Sequence, residues 1–280
     1  MWMLRTIALV LAAAAAGAAA FALEASAPRE SPELRAAADQ AKKPAPPASA
    51  ARKERPVPFA AGEKLSYDVS WSSYVTAGNA TLSVVEKKPS YGSTAYYVVA
   101  EGQPTSLLSR LYDLYYKADS LIDVYTLLPQ RGSVFSKEGR RERMKTTLFN
   151  HQANTATYEV KTRTLVTKDL KIPPYSQDPL SAIYVLRALA LKAGDKFSLP
   201  ICDAGETFRV QISVAAPEVV KSGIGELRAW RVTPTLPPEQ AKTTRRLTLW
   251  ISDDARRLPV KMQAQLAVGS FDLTLRSAGK

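Results

Sequence analysis

Hydrophobic and polar residues alternate along most of the chain after residue 58, as in half-buried β-strands. The clearest example is GEKLSYDVSWSSYVTAGNATLSVVE at residues 62–86. Its first predicted strand directs four apolar side chains to one side: Leu65, Tyr67, Val69 and Trp71. Gly78 then permits a turn or a bulge. The next predicted strand has a shorter inward set: Ala80, Leu82 and Val84.

The segment DPLSAIYVLRALAL breaks this alternation and predicts an α-helix over about residues 178–192, ending before Gly194. Asp178 is a suitable N-cap, and Pro179 is favoured at the first helical position. Apolar residues then recur at helical spacing: Leu180, Ile183, Tyr184, Leu186 and Leu189. A shorter helix is predicted within residues 104–112.

Ten or more short strands, bounded by Gly, Pro or Asp, surround this one strong helix. Hairpins are predicted around Glu138-Gly139 and at Asp253-Asp254. Such a pattern favours a mainly β fold: a curved antiparallel sheet, or a partly closed β-barrel, with one central α-helix. Residues 58–280 are long enough for a single β-rich domain with a sizeable core.

The N-terminal segments have a different composition. Residues 1–23 carry Arg5 followed by an uncharged, Ala-rich stretch, which predicts a secretory signal peptide; an uncleaved anchor is the alternative. No cysteine follows this stretch directly, which excludes a diacylated lipoprotein. Residues 24–57 are rich in Ala, Pro and charge, and predict a disordered leader. The expected location is the periplasm or the exterior of a bacterial cell.

The chain carries a formal net charge of +12, which favours contacts with anionic lipid, acidic glycan or nucleic acid. The densest basic run is KEGRRERMK at residues 137–145, on a predicted hairpin. Four of its residues are predicted to form a basic rim: Arg140, Arg141, Arg143 and Lys145. The run lacks interleaved aromatic residues, so we expect no nucleic-acid partner. A merely solvated hairpin tip is the alternative.

Residues that support catalysis are scarce. His151 is the only histidine and is expected in an exposed turn, and Cys202 is the only cysteine and is expected to be buried and inert. One histidine and one cysteine do not make a typical zinc site, so no metal and no cofactor are expected. The sequence therefore favours a protein that is not an enzyme. A carboxylate-based glycan hydrolase would need two facing acids, and the candidates are Asp68, Glu101, Asp113, Asp119 and Asp123.

Bulky aromatic residues recur on the predicted strands, and they are candidates for the wall of a ligand-binding cavity. They are Tyr67, Trp71, Tyr97, Tyr115, Trp230, Trp250 and Phe271. The alternative is that the central helix fills this space and leaves a closed core.

Several segments resemble a family of exported bacterial proteins that is known only as a domain of unknown function. They are GEKLSYDVSW, AGNATLSV, SRLYDLYYKADSLID, DPLSAIYVLR and the closing LWISDDARRLPVKMQAQLAVGSFDLTL. The resemblance covers nearly all of residues 59–278. More distantly, the chain is similar to periplasmic lipoprotein carriers, which are half-barrels. That likeness implies a concave sheet that cradles acyl chains, and it supplies no catalytic residues.

Together these features predict a monomeric envelope protein that binds a hydrophobic or amphipathic ligand, such as a lipid or a lipid-modified protein. The alternative is a structural or scaffold protein of the envelope, with a filled core and with protein or peptidoglycan partners.

Overall fold

The computed structural model describes residues 52–72, 75–111, 113–237, 246–266 and 269–279. The predicted signal peptide, residues 1–23, and the predicted leader up to residue 51 lie outside the described residues. Within the described ranges, no helix combines the length and the hydrophobicity needed to cross a bilayer.

The described residues form fourteen strands and two short helices. The helices are α1 (Ser106–Leu111) and α2 (Pro179–Ala188). The strands are β1 (Lys64–Trp71), β2 (Val75–Ser90), β3 (Ser93–Pro104), β4 (Leu114–Asp123), β5 (Pro129–Glu138), β6 (Arg141–Asn150), β7 (Thr155–Lys161), β8 (Leu165–Lys171), β9 (Lys196–Asp203), β10 (Glu206–Ser222), β11 (Gly225–Thr235), β12 (Arg246–Ser252), β13 (Pro259–Leu266) and β14 (Gly269–Gly279).

All fourteen strands belong to one curved antiparallel sheet, which does not close. Strands that follow one another in sequence pair with each other, except β8 and β9, and β1 pairs with β14. The sheet therefore has two edges, β8 and β9, and α2 lies in the connection between them. This confirms the predicted mainly β fold, in the form of a curved antiparallel sheet that is not closed.

The predicted alternation of β1 is confirmed. Leu65, Tyr67 and Val69 are buried, whereas Lys64 and Asp68 are exposed on the other side. The buried side of the sheet, called here the inner face, carries one core to which both halves of the chain and α2 contribute. The register of β1 with β2 shifts after Val69, opposite Gly78.

Gly78 is required at this bulge because the backbone of β3 passes close to it. A Cβ atom at Gly78 would lie 2.3 Å from the carbonyl oxygen of Gln103. The predicted turn or bulge at this glycine is therefore explained by a close approach of two backbones.

Helix α2 begins as predicted. The Asp178 carboxylate accepts hydrogen bonds from the backbone amides of Leu180 and Ser181, both at 2.8 Å, and Pro179 occupies the first turn. The helix ends at Ala188, because Leu189 adopts an extended backbone with φ −80° and ψ 144°. The predicted boundary near residue 192 is therefore wrong. The predicted shorter helix within 104–112 is present as α1.

The two edges of the sheet are joined by a few hydrogen bonds and by side-chain packing, without a continuous ladder between β8 and β9. The segment before α2 reaches β9, where Gln177 N donates to Pro200 O at 2.9 Å and Cys202 N donates to Gln177 O at 2.8 Å. Lys168 Nζ on β8 donates to the carbonyl oxygen of Gly205 at 2.8 Å. A small cluster that includes Ala156 and Cys202 fills the contact.

Residues 52–63 lie along the end of the sheet at which β1 begins. Glu54 pairs with Lys87 at 2.6 Å, and Arg55 N donates to Val124 O at 3.2 Å. Phe59 is buried with its ring edge-on to Tyr96 and to Tyr184 of α2. The last residues of the predicted leader, 52–57, therefore contact the sheet.

Candidate ligand-binding site

A shallow crevice on the inner face arises because small residues occupy neighbouring positions on β2, β3 and β4. Ala80 pairs with Gly102, and Ala100 pairs with Ala118. Paired residues on adjacent strands project to the same face of a sheet. These four positions therefore form a patch with little side-chain volume, directly under α2.

Larger apolar residues surround this patch. Leu180 and Ile183 of α2 cover it, Tyr67 and Val134 line its sides, and Met262 and Leu273 come from the other half of the chain. The volume of the crevice is about 50 Å³. Ala100, Ala118 and Val134 remain half-buried, so the crevice is open to solvent.

The volume of the crevice limits the size of the ligand that fits without a conformational change. One water molecule needs roughly 10–15 Å³ of cavity volume, so the crevice has room for a few waters or for the end of an alkyl group. A whole acyl chain requires displacement of the side chains of Leu180 and Ile183, which form the cover.

Tyr67 fixes one side of the crevice. Its hydroxyl donates to Pro259 O at 2.9 Å, and burial raises the pKa of the phenol well above its ordinary value of 10.0. The ring therefore presents an apolar face to the crevice while its polar atom is satisfied.

The crevice continues into a second, more polar space of about 30 Å³, and the two share Ala118, Val134 and Leu180. Lys145, Tyr158 and Asp178 contribute polar groups there. Burial raises the pKa of Tyr158 to about 12, with a further contribution from Asp203.

Asp178 is held in the second space by contacts on both sides of its carboxylate. Oδ1 caps α2, and Oδ2 accepts a hydrogen bond from Ser120 Oγ at 2.6 Å. Burial raises the pKa of this carboxyl, although these hydrogen bonds oppose the shift. A Cβ atom at Gly132 would lie 3.1 Å from Oδ2, so that glycine gives Asp178 its space.

Charge is distributed unevenly between the two faces of β6, β7 and β8: the inner face carries cations alone, whereas the outer face carries acids together with Lys161 and Lys171. The register places four cationic residues on the inner face: Arg141, Arg143, Lys145 and Lys168. The acidic residues of the same strands lie on the outer face: Glu142, Glu159 and Asp169. Among the described residues, none of Arg141, Arg143 and Lys145 has an ion pair within 4.0 Å.

The four inner-face cations, called here the cationic surface, lie beside the crevice at the same height along the strands. Lys145 pairs with Val134, and Val134 pairs with Ala118. Adjacent strands lie about 4.8 Å apart, so the Lys145 backbone is about 10 Å from the floor of the crevice at Ala118. An apolar crevice and a cationic surface thus lie side by side on one concave face.

The structure separates the predicted aromatic wall. Tyr67, Trp71 and Phe271 belong to the inner face, and of these Tyr67 alone lines the crevice in the described residues. Tyr97 stacks under Lys88, whose Nζ lies 3.9 Å from the ring centroid. Tyr115 donates its hydroxyl to Glu101 Oε1 at 3.1 Å.

Both Tyr97 and Tyr115 alternate with inward residues, so they face outward, away from the crevice. The same holds for Trp250, which pairs with Lys261 between the buried residues Leu249 and Ile251 and donates to Glu218 Oε1 at 2.5 Å. Trp230 donates to Asp253 Oδ1 at 2.8 Å, at the β12–β13 turn. The crevice does not include these four residues.

Of the predicted basic rim, Arg141, Arg143 and Lys145 lie together on the inner face, and Arg140 lies in the β5–β6 turn. Sequence analysis missed the small residues that create the crevice and the helix residues that cover it. The sequence did contain a signal for the crevice: small residues at alternate positions on consecutive strands. Small side chains on a buried face leave a volume that either stays open or is filled by a helix.

Arg187 of α2 was also missed. It is 1% exposed, and its guanidinium donates to both carboxylate oxygens of Glu63 at 2.6 and 2.8 Å. It also donates to the carbonyl oxygens of Arg257 at 3.0 Å and Arg256 at 3.3 Å. This buried, fully hydrogen-bonded ion pair fixes the last turn of α2 to residues 52–63 and to the β12–β13 turn.

The candidate chemical residues occupy structural positions. His151 is half-buried, contrary to the expected exposure: its Nε2 contacts Pro129 O at 2.8 Å, its ring stacks on Phe149, and burial lowers its pKa. Cys202 is buried as predicted, and burial raises its pKa to about 12. Asp254 in the predicted turn accepts hydrogen bonds from Ser252 and Arg256.

The five candidate acids are each engaged separately. Four form ion pairs: Asp68 with Arg276, Asp113 with Lys137, Asp119 with Arg131, and Glu101 with Lys117. Asp123 accepts hydrogen bonds from Ser93 and from the 124–128 turn. Within the described ranges, no group of three or more His, Cys, Asp or Glu side chains is placed to hold a metal ion.

The fold and the crevice define a class of β-barrel-like proteins with a rolled, unclosed sheet. The family of proteins of unknown function DUF3108 matches residues 66–276, and the chain belongs to that family. This confirms the assignment to a domain of unknown function. No curated protein matches the chain.

Among solved structures, the chain is similar to a beta-barrel-like protein of the domain of unknown function DUF1849 from Brucella abortus. The TM-score is 0.54 at 13% identity, over 81% of this chain and 99% of that one. At this identity the likeness concerns the fold alone.

Two weaker likenesses cover 81% of this chain and all of the other. One is to a Bacteroides fragilis protein described as exported and YmcC-like in fold, at a TM-score of 0.32 and 12% identity. The other is to a Parabacteroides distasonis protein described as a lipoprotein, at 0.36 and 8%.

Proposed function

We propose that this protein binds an anionic amphipathic ligand, a lipid or the lipid-modified end of a protein, on the inner face of its sheet. The apolar part enters the crevice under α2, and the anionic group contacts Arg143 and Lys145. The protein acts by binding, without catalysis. The N-terminal sequence supports a location in the bacterial envelope.

One observation carries this proposal: the apolar crevice and the inner-face cations lie side by side, at matching heights. An acyl chain gains roughly 0.8 kcal/mol for each CH₂ group removed from water, which favours the crevice. An anionic headgroup gains from Arg143 and Lys145, because the carboxylates of β6–β8 lie on the outer face. Asp178 and Asp203 line the second space together with Lys145, and Asp178 already accepts hydrogen bonds from Ser120 and from the first turn of α2. A ligand with both parts fits better than a purely apolar or a purely anionic one.

The crevice volume is about 50 Å³, so binding of a lipid requires a conformational change. A chain longer than a few carbons must displace Leu180 and Ile183, so binding is coupled to a shift of α2. The same small volume favours the alternative function, an envelope scaffold with a filled core. The two functions differ in whether the purified protein carries an amphiphile.

The first test is native mass spectrometry of the purified full-length protein, with organic extraction of the same sample. A carrier is expected to retain an anionic lipid or a lipid-modified peptide. Protein that is free of amphiphile, and that binds no added fatty acid or phosphatidylglycerol, favours the scaffold.

Ligand binding by matched inner-face and outer-face variants then tests where the ligand binds. Ala118→Leu fills the crevice floor, and it should abolish binding while the protein stays folded. Arg143→Gln combined with Lys145→Gln should weaken binding of anionic ligands, by about fivefold or more for each charge that contacts the headgroup. Lys161→Gln combined with Lys171→Gln removes the same charge from the outer face of β7 and β8, and should leave binding unchanged. Equal losses in both double variants would contradict a site on the inner face.

A further inference from the structure

The two ends of the sheet differ in the loops that they carry. Consecutive strands run antiparallel, so loops alternate between the ends. The end that contains α1, called here the α1 end, includes the described residues 105–111, 113, 139–140, 162–164 and 204–205. The opposite end has the loops 91–92, 124–128, 151–154, 172–178, 189–195, 223–224 and 253–258.

Charge distinguishes the two ends. In the described loops of the α1 end, the cations are Arg110, Arg140 and Arg163, and the anion Asp113 is paired with Lys137 at 2.7 Å. The opposite end, formed by its described loops and residues 52–63, holds six cations and six anions: Arg52, Lys53, Arg55, Lys192, Arg256 and Arg257 with Glu54, Glu63, Asp178, Asp195, Asp253 and Asp254. The described loops of the α1 end therefore carry an excess of positive charge, whereas the charges at the opposite end balance. Acidic residues at the α1 end lie on the adjoining strand ends: Glu138, Asp203 and Glu206.

Apolar side chains protrude among these cations. Leu107 on α1 is 70% exposed, and Leu165, which follows the β7–β8 turn, is 60% exposed. The backbone amide of Gly139 donates to Asp113 O at 2.7 Å, so α1 and the β5–β6 turn with Arg140 are adjacent. An exposed leucine on the same end as several arginines is typical of a surface that enters a lipid interface.

We propose that the α1 end docks onto an anionic lipid bilayer, with Leu107 inserted among the lipids and Arg110, Arg140 and Arg163 in contact with phosphate groups. This interaction goes beyond ligand binding in the crevice and does not depend on it. The position of α1 connects the two functions. Gly102 and Tyr116, which line the crevice, lie on β3 and β4 immediately before and after α1.

The test is co-flotation of the full-length protein with vesicles of phosphatidylcholine alone and of phosphatidylcholine mixed with phosphatidylglycerol. The neutral vesicles set the baseline, because they report any insertion by the apolar N-terminal segment. Arg110→Gln combined with Arg140→Gln should lower the preference for anionic vesicles by about fivefold for each charge removed. Leu107→Ser should lower binding about tenfold, since a fully buried leucine side chain contributes that much or more.

Matched controls lie at the opposite end. Lys192→Gln combined with Lys196→Gln removes the same charge from exposed positions, and Tyr175→Ser removes a side chain that is 74% exposed. Both should bind as the unaltered protein does. All six substituted positions are exposed, so circular dichroism and thermal melting should show unchanged folding.

Three outcomes overturn the proposal. One is equal loss in both double variants, which indicates a general charge effect. Another is unchanged binding in Leu107→Ser beside a loss in the arginine variant, which indicates a polar anionic partner instead of a bilayer. The third is no preference for anionic vesicles at all. The crevice variant Ala118→Leu should keep full vesicle binding, so a failure of the proposed ligand site is distinguishable from a failure of docking.

Discussion

The inner face of the sheet is filled differently in its two halves. Beneath β11, β12 and β13, large side chains meet across the strands, as where Val232 pairs with Leu249 and Leu249 with Met262. Beneath β2, β3 and β4, the four neighbouring positions of the patch are occupied by alanine and glycine. Elsewhere on these strands the inward side chains are large, as at Leu82, Val98 and Ile122. Both halves show the same alternation and the same antiparallel pairing. The volume of the inward side chains therefore decides which half is solid and which half leaves a crevice.

Helix α2 is fixed to both halves, which keeps it over the crevice. Its first turn is held to β4 through Asp178 and Ser120, and its last turn is held by Arg187. Loss of either attachment would free one end of α2 from the sheet.

The largest effect is expected for Arg187→Ala. The substitution leaves the Glu63 carboxylate, which is mostly buried, without its partner, and such losses cost about 3–5 kcal/mol. Urea unfolding of the full-length protein measures it. Arg276→Ala is the matched control, because Arg276 pairs with Asp68 at 3.4 Å on an exposed surface; its cost should stay within about 1 kcal/mol. Similar values for both variants would show that α2 is not fixed by this pair.

An Ala→Leu substitution should change the free energy of unfolding by different amounts in the two halves of the sheet. Ala264 is buried between Leu247 and Phe271 in the filled half, so Ala264→Leu should lower the free energy of unfolding by about 1–3 kcal/mol. Ala118 lies at the crevice, where Ala118→Leu has room and should change stability by less than about 1 kcal/mol. Equal destabilisation would mean that the open half is as tightly filled as the other.

Asp178→Ala should lower the free energy of unfolding by about 1–2 kcal/mol, because the two capped amides and the Ser120 hydroxyl lose their acceptor. Thermal or urea unfolding measures this effect. Asp195→Ala, in the exposed loop after α2, removes a single hydrogen bond to Lys192 N and should cost less. An unchanged free energy of unfolding in Asp178→Ala would show that the first turn of α2 is held by packing alone.

The smallest effect is a pH dependence from His151, in the β6–β7 turn of the more open half. Burial lowers its pKa below 6.5, so the unfolded chain takes up a proton before the folded protein does. Stability should fall as the pH drops below about 6.5, with a slope of at most about 1.4 kcal/mol per pH unit. His151→Gln should flatten urea unfolding midpoints between pH 7 and pH 5.5. An unchanged slope would assign the dependence to other groups.

The local pattern predicts a large part of this architecture. The alternation at Leu65, Tyr67 and Val69 predicted β1 and its buried side, and Asp178 with Pro179 predicted the start of α2. These predictions succeed because strand periodicity, capping and turn chemistry depend on residues that are close in sequence. The end of α2 was misplaced because its apolar periodicity continues through Leu189, whose backbone is already extended.

The candidate site was predicted only in part. Arg141, Arg143 and Lys145 were identified from their density, but their common face depends on the register of β6 with β5. Tyr97, Tyr115 and Trp250 are aromatic strand residues like Tyr67, and they face outward. A sequence read one strand at a time does not show which of the two faces becomes the inner one.

By itself, the sequence determined the strands, the helix start, the hairpins and the clustering of positive charge, because each of these follows from interactions within a few residues. The tertiary structure alone decided the crevice, the buried pair of Arg187 with Glu63, and the matching heights of crevice and cations. Those features join residues from distant strands, and their positions depend on how fourteen strands pair and curve around one helix.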